Sequence, residues 1–299
     1  MSNGAGKIRI VTRPDMVVNA DFQSLLAEND LLDYERIFRR EGGTVVKKIE
    51  ERSVVRLDLV QDGRPRRIFL KRHRAVRPDL GAWIGHGFSA RGLSPGMAEF
   101  ENIRDFRKSG LPTVTPVAAG ERRTGPFRFE SFLVTEDFAP YVSLERLIRE
   151  RPERFAGPAG TPWKRRLLSA IGRLAAAMHA QGFNHRDFNA THILIGPGDE
   201  TGAVFLALFD FQRVDRRTWL RMKWRVKLLA ELFFTLPEPL FDREDRRLLY
   251  QAFRGAARIR PVDRFLLLLV ERKIARIARH MRKVNARKQA DRESGRRIG

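Results

Sequence analysis

Residues 185–195 read HRDFNATHILI: a His-Arg-Asp triplet, a short polar run, a second histidine and then an apolar segment. Upstream lies WKRRLLSAIGRLAAAMHAQG (163–182), whose apolar spacing predicts an amphipathic helix closed by Gly182. Downstream, the apolar ILI predicts a buried strand. A loop framed in this way presents an acid, Asp187, above a rigid scaffold. Twenty-three positions later a second aspartate, Asp210, ends the apolar run FLALF and is followed by Phe211. The two apolar runs are joined by a GPGDETG turn, so adjacent strands are expected to bring both carboxylates to one site.

Phosphoryl transfer needs such a pair. One carboxylate takes or orients the proton of the attacking hydroxyl, and the other holds Mg²⁺ against the nucleotide phosphates. The loop H-R-D-x-x-x-x-N followed by D-F-G is the protein-kinase form. Here the text is H-R-D-F-N-A-T-H and then D-F-Q, so His192 stands at the Asn position and Gln212 at the glycine. A cation for the α- and β-phosphates is also required, carried on a strand and oriented by a helix carboxylate. Lys71, in IFLK (68–71), has the apolar-x-apolar-Lys form of that strand, and Glu99 and Glu101 in the following helix are the candidate partners. Alone, Lys71 is one more cation among Arg66, Arg67, Arg72 and Arg74. Its place ahead of a helix Glu, HRD and DF, in kinase order, sets it apart.

Bulk composition narrows the classes. With 299 residues, 42% of them hydrophobic, the chain is globular and holds one large or two small domains. It has no cysteine, which excludes disulfides and thiolate metal sites. The start, MSNGAGKIRIVTRPD, lacks the apolar core of a signal peptide, and the longest apolar run, FLLLLV (265–270), is too short to span a bilayer. A cytoplasmic location is therefore expected. Lys and Arg number 58 against 36 Asp and Glu, a net charge of +22. That excess implies a polyanionic neighbour (nucleic acid, an anionic membrane face or phosphorylated substrates), unless it only solvates the surface.

Strand-like text comes first: TVVKKI (44–49), SVVRLDLV (53–60) and RRIFLKRH (66–73), the last two separated by Gln61-Asp62-Gly63. A helix is expected over Met97–Ser109, stopped by Gly110 and Pro112, followed by further strands at PVAAGE (116–121) and FRFESFLVTED (127–137). After Pro140 the text turns helical. The expected architecture is α+β: a strand-rich nucleotide-binding lobe over 1–140 with a short N-terminal extension, and a helical lobe over 141–299 with the HRD loop and a basic tail.

GGTVVKKI (42–49), IFLKRHR (68–74), AEFENIRDFRKSGLPTVTPVAAGE (98–121), FLVTEDF (132–138), FNHRDFNATHILI (183–195) and LFDFQRV (208–214) occur in this order. In these pieces the chain resembles the Kdo/WaaP lipopolysaccharide kinase family, bacterial enzymes that phosphorylate sugars of the lipopolysaccharide core. The resemblance implies a protein-kinase-like two-lobed fold, with a small antiparallel-sheet N-lobe and a mostly helical C-lobe. It also implies ATP and Mg²⁺ as cofactors, a heptose or Kdo acceptor, and work as a peripheral protein at the inner face of the membrane. By position, Lys71 would bind phosphate with Glu99, rather than Glu101, as its partner. Thr135, Glu136, Asp137 and Phe138 would form the adenine-binding hinge, Asp187 would be the base and Asp210 the metal ligand. His192, in keeping with the family, would bind metal or orient the aspartates. The hairpin KKIEERSVV (47–55) has no glycine cover for the phosphates, and Gly42-Gly43 are expected at the entry to the first strand.

No A-P-E anchor follows DFQRVDRRTWLRMKW (210–224), so no peptide-docking platform is expected, which favours a small-molecule or sugar acceptor. Arg213, Arg216, Arg217 and Arg221 are the candidates to grip acceptor phosphates and carboxylates and to hold an anionic membrane. Competing readings are an antibiotic or choline phosphotransferase, a non-catalytic kinase-like binding protein, and a nucleic-acid module. The last is supported only by charge and by the tail RKIARIARHMRKVNARKQADRESGRRIG (272–299), so no specific nucleic acid is expected. His179 is expected as a packed helix-end residue, and His73 and His86 on polar loops. Trp219 and Trp224 are expected on one packed helix face, and Phe233 and Phe234 in the core.

Overall fold

Two short strands that the sequence barely advertises open the fold: β1 (Ile10–Arg13) and β2 (Met16–Asn19), a hairpin turning at Asp15 with φ 59°. The structure, a computed structural model, describes residues 8–76, 94–125, 128–198, 202–216 and 219–293. His86 and Arg217 lie outside the described residues. The chain divides into two units, Met1–Phe138 and Ala139–Gly299.

In the first unit, helices α1 (Gln23–Glu28) and α2 (Tyr34–Phe38) follow the hairpin, and the Asp33 carboxylate accepts from the Glu35 and Arg36 amides to start α2. Then come β3 (Thr44–Ile49), β4 (Arg52–Gln61), β5 (Arg64–Val76), helix α3 (Pro95–Lys108), β6 (Pro116–Gly125) and β7 (Arg128–Glu136). They form one seven-stranded antiparallel sheet in the order β1-β2-β6-β7-β5-β4-β3. The stretch expected as an N-terminal extension is thus part of the sheet. Its strands have four residues each, too short for alternation to stand out.

The period of two along β5 divides the work between the faces. Ile68 and Leu70 join Leu25, Leu26, Tyr34 and Phe38 in a core on the face covered by α1 and α2. Phe69 and Lys71 point to the other face, where α3 lies with Phe100, Ile103 and Phe106 buried. Gly96 allows that helix to start against β7, since a Cβ there would lie 2.5 Å from the Phe132 carbonyl oxygen. His73 is not on a polar loop. It lies inside the 13-residue strand β5, paired with Arg52 and Ser131 on its two sides, and is 2% exposed.

The second unit carries β8 (Val142–Ser143), α4 (Leu144–Glu150), α5 (Gly157–Ala180), β9 (Phe183–His185), β10 (Ile193–Ile195), β11 (Leu206–Leu208), β12 (Val214–Arg216), α6 (Arg221–Phe234), α7 (Arg243–Arg254) and α8 (Pro261–Glu293). Its strands form two small antiparallel ribbons, β11-β10-β8 and β12-β9. Helices α5 and α7 approach closely at Gly172, where a Cβ would sit 2.5 Å from the Leu249 carbonyl oxygen. His179 is buried near the end of α5. Trp219 and Trp224 do not share a packed face: Trp219 precedes α6 and is 60% exposed, while Trp224 is buried on the helix. Phe233 is buried and Phe234 is exposed, because neighbours on a helix point about 100° apart and the core takes one of them. No helix of the described residues is long and apolar enough to cross a membrane.

Candidate active site

Lys71 sits mid-strand on β5, in register with Val54 and Leu133, so its Cα is held from both sides. Its ammonium donates to Glu99 Oε2 at 2.6 Å, with side-chain exposures of 10% and 3%. Glu101 is occupied elsewhere, by Arg104 one helical turn along. The reason is geometric. Residues two apart on a helix face about 200° apart, so when Glu99 faces the sheet Glu101 faces away.

At the end of β7 the four hinge candidates are tied down in different ways. The Glu136 amide donates to the Thr115 carbonyl (2.9 Å) and the Asp137 amide to the Arg67 carbonyl (3.0 Å). The Glu136 carboxylate takes Arg66 at 2.8 Å, and Phe138 stacks on Phe69 at 5.3 Å. Thr135 is paired in register with Phe69 and Pro116.

In the second unit, β9 and β10 frame the HRD loop. His185 is buried, and burial first, then the neighbouring His192, pushes its pKa down to about 4, so it is neutral near pH 7. Its Nδ1 accepts the Asp187 amide (3.3 Å), which leaves the proton on Nε2, 3.4 Å from the Phe209 carbonyl. One neutral imidazole therefore joins the HRD loop to the D-F-Q segment. Arg186 makes a two-pronged contact with the buried Asp215 on β12, at 2.8 and 2.6 Å, and fixes the loop from its other side.

His192 is hydrogen-bonded at Nδ1 to the Asp187 carbonyl oxygen at 2.8 Å, so Nδ1 carries the proton. In the neutral ring Nε2 then has only its lone pair, and it faces Asp210 Oδ2 at 3.7 Å. A lone pair and a carboxylate turned toward each other suit a shared cation, and the second-ring hydrogen bond is how ligand histidines are oriented. Asp210 takes a left-handed backbone, φ 61° and ψ 69°, strained for any residue but glycine and least so for Asp or Asn. Among the described residues no three His, Asp or Glu gather as a metal cluster. Two protein ligands fit Mg²⁺, which keeps waters and phosphate oxygens for its remaining positions and favours oxygen donors.

Of the arginines assigned to the acceptor, Arg213 reaches the HRD loop and donates to Asp187 Oδ1 at 2.9 Å. Arg216 lies over the Phe183 ring, its guanidinium carbon 4.4 Å from the centroid, and Arg221 is exposed at the start of α6; neither is placed at Asp187.

The sequence reading missed Lys227 and Glu231. Helix α6 runs beside the HRD loop: Trp224 lies under Arg186 (5.8 Å), and Thr235 Oγ1 accepts the Ala190 amide (3.0 Å). The helical period puts Glu231 on the line between these contacts and Lys227 one turn before it, both half-buried. Burial, then Arg186 and Arg213, pushes the Lys227 ammonium below its ordinary pKa, against the pull of Glu231 and Asp187. Burial raises the Glu231 carboxyl; Lys227 opposes that and Asp187 adds to it. Their only sequence signal was a four-residue spacing inside helical text.

A strand lysine salt-bridged to a helix glutamate, and an HRD loop joined to a following Asp-Phe segment, define a kinase: a phosphotransferase of the protein-kinase-like class. The comparisons narrow this. The pattern of the Lipopolysaccharide kinase (Kdo/WaaP) family matches residues 91–253. The lipopolysaccharide core heptose(I) kinase WaaP of Pseudomonas aeruginosa is 33% identical over 246 residues, 79% of this chain and 86% of that protein. A 3-deoxy-D-manno-octulosonic acid kinase of Xylella fastidiosa is 31% identical over 138 residues, 46% of this chain and 48% of that one. A solved structure of WaaP in complex with acyl carrier protein superposes with a TM-score of 0.66 at 28% identity, covering 89% of this chain and 99% of that one. The chain belongs to the lipopolysaccharide kinase (Kdo/WaaP) family.

Proposed function

We propose that the protein transfers the γ-phosphoryl group of ATP to a hydroxyl of an inner-core lipopolysaccharide sugar, a heptose in preference to Kdo, on the cytoplasmic face of the inner membrane. The observation that carries this is the His192 bridge, with Nδ1 on the Asp187 carbonyl and Nε2 toward Asp210. It couples a proton acceptor to a cation ligand as phosphoryl transfer requires. The preference for heptose rests on the longer match to the heptose kinase, 86% of that protein against 48% for the Kdo kinase.

Asp187 takes the proton of the sugar hydroxyl as that oxygen bonds to the γ-phosphorus and the bond to ADP breaks. Lys71, held by Glu99, binds the α- and β-phosphates, and the Thr135–Phe138 segment borders the adenine. Arg213 and Lys227 balance the negative charge spreading over the transferred group, and the charge of Glu231 favours the Lys227 ammonium. Bound Mg²⁺, held by Asp210 and His192, would neutralise phosphate charge. Arg213 donates to the carboxylate of the base, so the acceptor must draw it away, and an acceptor that already carries phosphate is suited to do so.

The test is phosphate transfer from Mg-ATP to deacylated core oligosaccharide, to Kdo-containing acceptors, and to aminoglycoside and choline. Transfer to the heptose-bearing oligosaccharide is expected. Turnover with aminoglycoside or choline and none with core sugars would overturn the reading.

A further inference from the structure

Helix α8 (Pro261–Glu293) presents two unlike faces. Its inward face buries Asp263, Leu266 and Val270, and half-buries Ile274 and Ile277. On the opposite face a single line of side chains begins with Val262, Phe265 and Leu268, exposed by 56%, 55% and 43%. It continues with Arg272, Arg276, Arg279, Lys283 and Arg287, all exposed. Steps of three and four residues keep these positions within one side of the helix, a straight stripe about 40 Å long. No acidic residue interrupts it, and among the described residues none of the five cations pairs with a carboxylate.

A helix face that merely meets water has no use for three large apolar side chains at the head of the line. A nucleic acid would satisfy the cations and leave those apolar groups in water, and the cationic stretch contains no Phe, Tyr or Trp on which a base could stack. An anionic lipid surface answers both halves: acyl-chain boundary for Val262, Phe265 and Leu268, headgroup phosphates for the arginines. We propose that the outer stripe of α8 lies flat on the anionic membrane. This rests on the reading of the protein as a kinase for a membrane-borne sugar, and it moves the membrane contact from the Arg213–Arg221 segment to a different helix.

The experiment uses the full chain and co-sedimentation with phosphatidylcholine vesicles, with and without phosphatidylglycerol. Two variants are compared: Arg272→Glu/Arg276→Glu/Arg279→Glu, and Phe265→Ser/Leu268→Ser. Binding only to the anionic vesicles is expected. The charge variant should lose on the order of 100-fold in partitioning, about fivefold for each cation near the surface. The apolar variant should bind less and be released fully by salt, whereas wild type is released only in part. Both should phosphorylate soluble deacylated core oligosaccharide like wild type, which also shows that they fold; an Arg→Gln triple variant serves if the Glu variant does not. Unchanged vesicle binding in either variant overturns the proposal, as does tighter binding of wild type to duplex DNA than to the vesicles. Wild type that transfers phosphate to soluble core yet ignores vesicles sinks the membrane stripe alone. Wild type that binds vesicles but phosphorylates no core sugar sinks the kinase assignment alone.

Discussion

Glu99→Leu removes the carboxylate from an ammonium whose side chain keeps only 10% of its exposure. Breaking a buried ion pair from one side costs roughly 3–5 kcal/mol, because the remaining buried charge loses its carboxylate. With a conversion of about 2–4 °C per kcal/mol, the variant should melt about 10 °C below wild type. Glu101→Leu is the control. Its Arg104 pair keeps side-chain exposures of 30% and 17%, and such a partly solvated pair is worth about 1 kcal/mol or less. Replacing both partners, Lys71→Met with Glu99→Leu, removes the buried ammonium together with its carboxylate and should recover most of the lost stability. It should not recover phosphate transfer, since no cation remains for the α- and β-phosphates. Circular-dichroism melts give the stability cycle and ATP turnover gives the function. Equal melting of Glu99→Leu and Glu101→Leu, or a double variant as unstable as Glu99→Leu, would refute the reasoning.

Acid should destabilise the fold in a defined window. His179 and His185 are both pushed by burial from 6.5 to about 4, so the unfolded chain takes up protons that the folded one refuses. Stability is full above pH 6.5 and falls as pH drops toward 4, by up to roughly 3 kcal/mol for each histidine. Melts from pH 7 to 4.5 should show the slope, and His179→Gln should flatten it; an unchanged slope would count against His179. Asp187→Asn should keep nucleotide binding and lose about 10²–10⁴-fold in turnover, measured with radiolabelled ATP; near-normal rates would remove Asp187 from the role of base. Asp210→Ala should abolish Mg²⁺-dependent ATP binding in calorimetry. His192→Asn should retain partial activity if His192 is a ligand, whereas complete loss with metal affinity intact would make it an orienting group. Lys227→Met should lower kcat with the KM for ATP little changed, and an unaltered kcat would leave Lys227 a structural residue.

What could be read from sequence was whatever a short local pattern fixes. Alternation in 53–60 and 66–73 gave the central antiparallel strands, and the HRD-to-DF order gave the class of enzyme. The choice of Glu99 over Glu101 as the partner of Lys71 came with the family resemblance, and helical geometry adds only that the two cannot both face the sheet. The remainder depends on partners distant in sequence. β1 and β2 are too short to show a period, and only pairing with β6 makes them strands. His73 looks like the polar end of a basic run until neighbours on both sides turn it into strand interior. Arg213 was expected to face the acceptor, whereas the turn after Asp210 swings it onto Asp187. Lys227 and Glu231 belong to no motif; they come near the HRD loop because α6 is anchored against it at Trp224 and Thr235.

The pairing of β2 with β6 has a consequence for biosynthesis. Met16, Val17 and Val18 find their ladder partners at Gly120, Ala119 and Ala118, about a hundred residues later in the chain. A ribosome delivers about 5–20 residues each second, so the N-terminal ribbon waits several seconds with an unpaired edge and exposed apolar residues such as Met16 and Phe22. Contacts so distant in sequence also slow the search once all parts are present. The first unit should therefore be the chaperone-dependent half of the nascent protein, and truncations that end before β6 should aggregate rather than accumulate as a folded fragment.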